Sequence, residues 1–162
     1  MREADFERLY AEHAQRLFAF LVYRTGDRVL VEDVMADTFE AAYRARARFD
    51  RRRASERTWL YTIALNRLRD HGRRAAAEAR ALERVAGDAS YPETDPALEA
   101  LEARDRVVGS LGVLSDEERE AVALRFGAEL TLKEIAAALD QPMTTVEGRV
   151  YRALGKLREE LE

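Results

Sequence analysis

The sequence predicts an all-α protein made of two small helical domains joined by a linker. Three observations point there. Ala, Leu, Arg and Glu dominate the 162 residues, and only three prolines and eight glycines interrupt them. Apolar residues recur at steps of three and four along most of the chain. From Val85 to Pro96 the texture changes to VAGDASYPETDP, whose Gly, Pro, Ser and small acids mark a linker. The expected division is a first domain at 1–84, a linker at 85–96 and a second domain at 97–162.

The first helix is expected from Asp5 to Arg24, with Phe6, Leu9, Tyr10, Leu17, Phe20 and Leu21 on its apolar side. Gly26 is a natural stop, and Asp27 can cap the next start. From Arg28 to about Arg48 the buried stripe reads Val31, Val34, Met35, Thr38, Phe39 and Ala42, with Glu32, Asp33, Asp37 and Glu40 opposite. FDRRRAS (Phe49 to Ser55) breaks the period and places three arginines in a loop. Ser55 can cap a third helix whose core face is Leu60, Ile63, Ala64 and Leu68. Trp59, Thr62, Asn66, Arg69 and Arg73 share another face at steps of three and four. An aromatic, an amide and guanidiniums on one stripe suit stacking on bases and neutralising phosphates; Trp59 alone would serve equally as core.

Beyond the linker, Asp95-Pro96 restarts helix, with Leu98, Leu101, Val108 and Leu111 as its apolar face. Ser115 and Glu118 form a capping-box pattern for a helix bearing Val122, Leu124 and Phe126. Two short helices around a tight turn follow. Thr131 caps Leu132 to Leu139, Ala136 is small at the crossing, and Asp140 to Met143 makes the turn, since Pro142 cannot continue the first helix. Thr144 is expected to cap the second helix, with Val146, Val150, Leu154 and Leu157 inside. Thr144, Thr145, Glu147, Gly148, Arg149 and Arg152 are then available to a DNA groove.

The formal charge of −4 hides an uneven distribution. Residues 43–80 hold twelve Arg against four acids, whereas residues 1–42 hold five against nine. Concentrated positive charge is what a polyphosphate partner responds to, whatever the total. With no cysteine, disulfides, thiolate chemistry and zinc-finger ligation are excluded. No apolar run approaches the roughly 18 residues of a membrane span. MREADFERLY lacks a signal-peptide layout, so a cytoplasmic protein is expected. His13 and His71 belong to no ligand motif, and neither a phosphate-binding glycine loop nor a nucleophile elbow is present. No enzymatic activity, cofactor or metal is expected.

VEDVMADTF (Val31 to Phe39), ARFDRRRASERTWLYTIALNRLRDHGRR (Ala47 to Arg74), LSDEEREAVALRF and TLKEIAAALDQPMTTVEGRVYRALGKLREEL together resemble bacterial sigma factors of the extracytoplasmic-function (ECF) group. The resemblance covers nearly the whole chain in the family's order. It implies that the first motif, with Glu32, Asp33, Met35, Ala36, Asp37 and Glu40, docks on the β′ clamp helices of core RNA polymerase. It implies that the second melts and reads the −10 promoter element, through Arg51, Arg52, Arg53, Ser55, Trp59, Thr62, Asn66, Arg69, Arg73 and Arg74. The last two motifs resemble region 4, which reads the −35 element. Core polymerase, including its β flap, promoter DNA and an anti-sigma protein are the implied partners. Glu147 and Gly148 depart from the family's more usual basic residue and serine. Glu147 either accepts a hydrogen bond from cytosine N4 or pairs with Arg149 or Arg152 and orients it. The alternative function is a sigma-like decoy that binds an anti-sigma protein without initiating transcription.

Overall fold

A computed structural model describes residues 1–86 and 112–162, and every regular element in them is helical. The order is α1 (Glu3–Thr25), α2 (Arg28–Ala45), a 3-10 turn (Arg46–Arg48), α3 (Glu56–Ala86), α4 (Asp116–Val122), α5 (Leu132–Leu139) and α6 (Met143–Leu161). Most of the expected linker and the helix bearing Leu98 to Leu111 lie outside the described residues.

Local chemistry sets most boundaries. Gly26 adopts φ 68° and its N–H donates to the Val22 carbonyl at 2.7 Å, a left-handed stop that a Cβ would strain. Asp27 Oδ1 accepts from the Leu30 N–H, and Ser55 Oγ from the Thr58 N–H. Ser115 with Glu118, and Thr131 with Glu134, close reciprocal capping boxes. Asp140 ends α5 in the left-handed region at φ 51°.

Three expectations are corrected. Helix α6 starts at Met143 behind an extended Pro142, so Thr144 stands in its first turn and caps nothing. Proline's fixed φ sets the entry, and its carbonyl accepts from Thr145 and Val146 at 3.0 and 3.3 Å. Second, α4 runs into a wide π turn at Ala123–Gly127, closed by Ala128 N–H donating to the Ala123 carbonyl. The extra residue rotates the face that follows, so Leu124 is buried but Phe126 is 54% exposed. Third, the buried stripe of α6 is Val146, Val150 and Ala153, with Leu157 beside it, whereas Leu154 is 42% exposed.

Helices α1, α2 and α3 pack around Leu17, Phe20, Leu21, Val31, Val34, Ala42, Leu60 and Ala64. This cluster continues without a break into Leu124, Leu130, Ile135, Leu139 and Val146. Helix α3 lies against α5, and Tyr61 and Leu65, outside the face expected from periodicity, are fully buried in the joint cluster. Fully burying a leucine such as Leu65 stabilises by about 1.5–3 kcal/mol. Polar contacts line the seam. Arg57 Nη1 donates to the carbonyls of Ala128 and Glu129 at 3.3 and 3.2 Å, and Arg16 pairs with the Glu129 carboxylate at 3.0 Å. Arg24 approaches Glu120 at 3.6 Å. The two halves are therefore closed on one another.

Candidate polymerase and promoter surfaces

Helix α2 buries Val31, Val34, Thr38 and Ala42, so its outward stripe carries Val29, Glu32, Asp33, Ala36 and Glu40. Glu32 and Asp33 are exposed without a cationic partner among the described residues. Met35 instead packs partly against the core. Asp37 Oδ2 lies 2.7 Å from His71 Nε2, tying the stripe to α3, and Glu40 pairs with Arg44.

The arginine loop turns on Asp50. Its Oδ1 accepts from the Arg52 N–H at 2.9 Å and its carbonyl from the Arg53 N–H at 3.0 Å. That leaves the side chains of Arg52 and Arg53 exposed, with no acidic partner among the described residues. Arg51 differs, because it is held by Glu56 at 3.0 Å. Ser55 is committed to the cap of α3 and touches Glu134 Oε1 at 3.5 Å across the seam. Trp59 is half-buried with its ring 4.9 Å from that of Phe49, so part of it is core and part remains at the surface. Thr62 donates its hydroxyl to the Thr58 carbonyl. Asn66 Oδ1 accepts from Arg69 at 3.4 Å; Asn66, Arg69 and Arg73 are exposed along one flank of α3, and Arg74 is exposed on the adjoining face. The structure thus brings loop, aromatic and amide to one side of the first half, with Ser55 turned toward the second.

On α6 the arginines are less free than expected. Arg149 is only 16% exposed and approaches Glu117 at 3.8 Å, and Arg152 approaches Glu118 at 3.9 Å. Neither pairs with Glu147, which is exposed and without a partner among the described residues. Arg152 folds back over Gly148, where a Cβ would lie 3.2 Å from its Nη1, a tight contact. Tyr151 was missed. It is exposed one turn beyond Glu147 and Gly148 on the same outward face, a position that helical spacing from Thr144 would have given.

Glu118 anchors this arrangement. Its carboxylate is almost buried and accepts from Lys156 at 2.9 and 3.1 Å and from the Ser115 N–H at 3.1 Å. The Lys156 hydrogen bond, opposed by burial, holds its pKa below the ordinary value. A depressed carboxylate pKa stabilises the fold above the unfolded-state value of about 4.3 and loses that contribution as pH falls through the folded value. Glu118→Gln should cost about 1–3 kcal/mol at pH 7 and far less near pH 3. Thermal unfolding over that range checks this; a pH-independent difference would sink it.

Glu12, His13 and Glu56 bring their donor atoms within 4.8 Å of one another, a grouping invisible in the sequence. Both carboxylates are already engaged by guanidiniums, Arg8 on each and Arg51 on Glu56. That positive surround disfavours a cation.

Residues 9–78 match the family description Sigma-70 region 2, and residues 110–159 match Sigma-70, region 4. The RNA polymerase sigma factor CnrH of Cupriavidus metallidurans is 33% identical over 97% of this chain and 95% of its own. The chain belongs to the ECF group of the sigma-70 family. The ECF RNA polymerase sigma factor RpoE of Cereibacter sphaeroides is 28% identical over 98% of this sigma factor and 87% of its own length. Among solved structures, RpoE of Bartonella quintana, in complex with the anti-sigma factor NepR, matches with a TM-score of 0.75 at 25% identity over 97% and 96% of the two chains. CnrH in complex with the cytosolic domain of CnrY matches with a TM-score of 0.70 at 31% identity, over 99% and 89%. The all-α architecture and the region 4 helix-turn-helix, α5 and α6, agree with these relatives. No described helix is long and apolar enough to cross a membrane.

Proposed function

We infer that this sigma factor binds core RNA polymerase and directs initiation at particular promoters, with catalysis left to the polymerase. The observation that carries this reading is the side formed by the arginine loop and α3. There Arg52, Arg53 and Arg73 lack acidic partners among the described residues while Trp59 and Asn66 stand beside them. Unpaired guanidiniums with an aromatic and an amide suit a strand whose bases have been unstacked. The domain bounds 1–84 and 97–162, the −10 role of the first and the −35 role of the second belong to this proposal. Glu147, which meets no Arg among the described residues, is assigned to cytosine N4, and Tyr151 to the same groove.

Run-off transcription with core polymerase on promoter variants tests the reading. Promoter-dependent transcripts are expected; their absence from a well-folded chain favours the decoy. One observation favours that second reading, namely that Glu117 and Glu118 already engage Arg149 and Arg152. The similar RpoE structure holds the anti-sigma factor NepR, which supports an anti-sigma partner here too.

The polymerase contact is assigned to the outward stripe of α2. Asp37 is a poor probe because its loss also breaks the His71 contact. Glu32→Lys with Asp33→Lys disturbs no pair among the described residues and should weaken binding to core polymerase at least ~10-fold, as like charges replace attraction. Unchanged affinity, measured by fluorescence titration on a chain of parental helicity, would remove this face from the reading.

A further inference from the structure

Two apolar side chains that helical spacing places in the core stand outside it, Phe126 at 54% and Leu154 at 42% exposure. Both line one groove. It measures about 570 Å³ and lies on the seam between the two halves, with Tyr23 of α1 on one wall, Val122 and Phe126 on the second, and Leu154, Leu157 and Leu161 of α6 on the third. Departures from a local pattern concentrate at functional places. A concavity of this size falls within the roughly 300–1,000 Å³ of small-ligand sites.

Among the described residues that line the groove, Arg16 alone is charged. Of its five N–H donors, only those on Nη1 meet a partner among the described residues, Glu129 Oε2 at 3.0 Å. Arg158, without an acidic partner among the described residues, lies four residues after Leu154 and three before Leu161, so it adjoins both on the surface of α6. An apolar floor bordered by guanidiniums complements a ligand with an apolar body and an anionic head. One turn of α-helix with its side chains, about 10 Å wide and 5.4 Å long, already fills roughly 420 Å³. A protein helix would therefore seat barely more than one turn here.

We propose that this groove binds a free long-chain carboxylate, with the alkyl chain against Phe126 and Leu154 and the head group on Arg16. Such an occupant touches both halves, so it binds the closed chain and favours it. At a free concentration 100 times its Kd the ratio of closed to open chains rises about 100-fold.

The test titrates sodium decanoate and dodecanoate, below their micelle-forming concentrations, into the full chain by isothermal titration calorimetry. One-to-one binding is expected. Dodecanoate should bind about 15-fold more tightly than decanoate, since each buried methylene contributes about fourfold. Phe126→Ser with Leu154→Gln should weaken binding at least ~10-fold; both side chains are exposed, so the fold tolerates their replacement. Arg16→Gln should weaken decanoate at least ~10-fold and leave 1-decanol unchanged. It also breaks the pair with Glu129. Glu129→Gln breaks that pair while keeping the guanidinium, and should bind decanoate at least as tightly as the parent. Equal losses in these two variants would trace the effect to the seam and overturn the Arg16 contact. No binding by the parental chain, or parental affinity in the Phe126 and Leu154 variant, would overturn the groove as the site. Decylamine binding as tightly as decanoate would overturn the carboxylate assignment. A dimer in sedimentation that the Phe126 and Leu154 changes dissolve, with no response to decanoate, would assign the groove to a second copy and overturn the small ligand. Neither promoter nor polymerase enters the titration, so its failure leaves the promoter-directed reading standing.

Discussion

Open promoter complexes should fall about 5- to 150-fold when Trp59 and Asn66 are replaced by alanine, while initial binding of the holoenzyme to closed promoter changes little. Flipping a base costs a few kcal/mol, and stacking on an aromatic returns about 1–3 kcal/mol per base. Removing the stacking surface leaves the cost and takes the return. A promoter with a premelted −10 bubble should recover most of the loss, because the strands are already apart. Trp59 also packs on Phe49 and the core, so its replacement lowers stability. Asn66 is exposed and, among the described residues, its side chain bonds only to Arg69, so Asn66→Ala separates DNA contact from folding. Permanganate footprinting reads strand opening directly. Normal opening of intact promoters by both single variants would show that the melting surface lies elsewhere.

A chain held shut across its seam should lose promoter-directed transcription at least ~10-fold and regain it on release. The −10 and −35 elements are about 25 base pairs apart, or roughly 85 Å at 3.4 Å per pair. A closed body of 162 residues has a radius of gyration of about 15 Å. With Arg57 and Arg16 holding Glu129, the two halves cannot reach both elements at once. The chain has no cysteine, so Ser55→Cys with Glu134→Cys, facing one another across the seam, can be joined specifically by a short cleavable linker. Full activity in the joined chain would mean that the closed arrangement is itself competent.

The caps and faces set by neighbours in sequence were legible. Gly26, Asp27, Ser55, the two capping boxes and Asp140 act within a few residues of themselves, so their geometry follows from residue type. What periodicity missed came from outside the local window. Tyr61 and Leu65 lie off the expected face of α3 yet are buried in a cluster shared with residues more than sixty positions away. Ala153 and Leu154 both fit helical spacing from Val150; hydrophobicity favoured Leu, and packing selected the small residue. Phe126 was displaced by a π turn, which no composition rule announces. The candidate site was legible in its residue types. Its internal partners were not, because Glu117 and Glu118 reach Arg149 and Arg152 from another helix.

Tyr61 gives the seam a particular character. Its hydroxyl is buried without a hydrogen-bond partner among the described residues, and burial, partly offset by Arg16 and Arg57, pushes its pKa up to about 12. Those two arginines are the ones that grip Glu129, so the orphaned donor sits beside the clasp itself. An unsatisfied buried donor costs about 1–3 kcal/mol, which opening would return to water. In population terms that shifts the ratio of open to closed chains by about 5- to 150-fold. The clasp is thus held well short of its full strength, and a competitor for either half needs correspondingly less affinity to displace it.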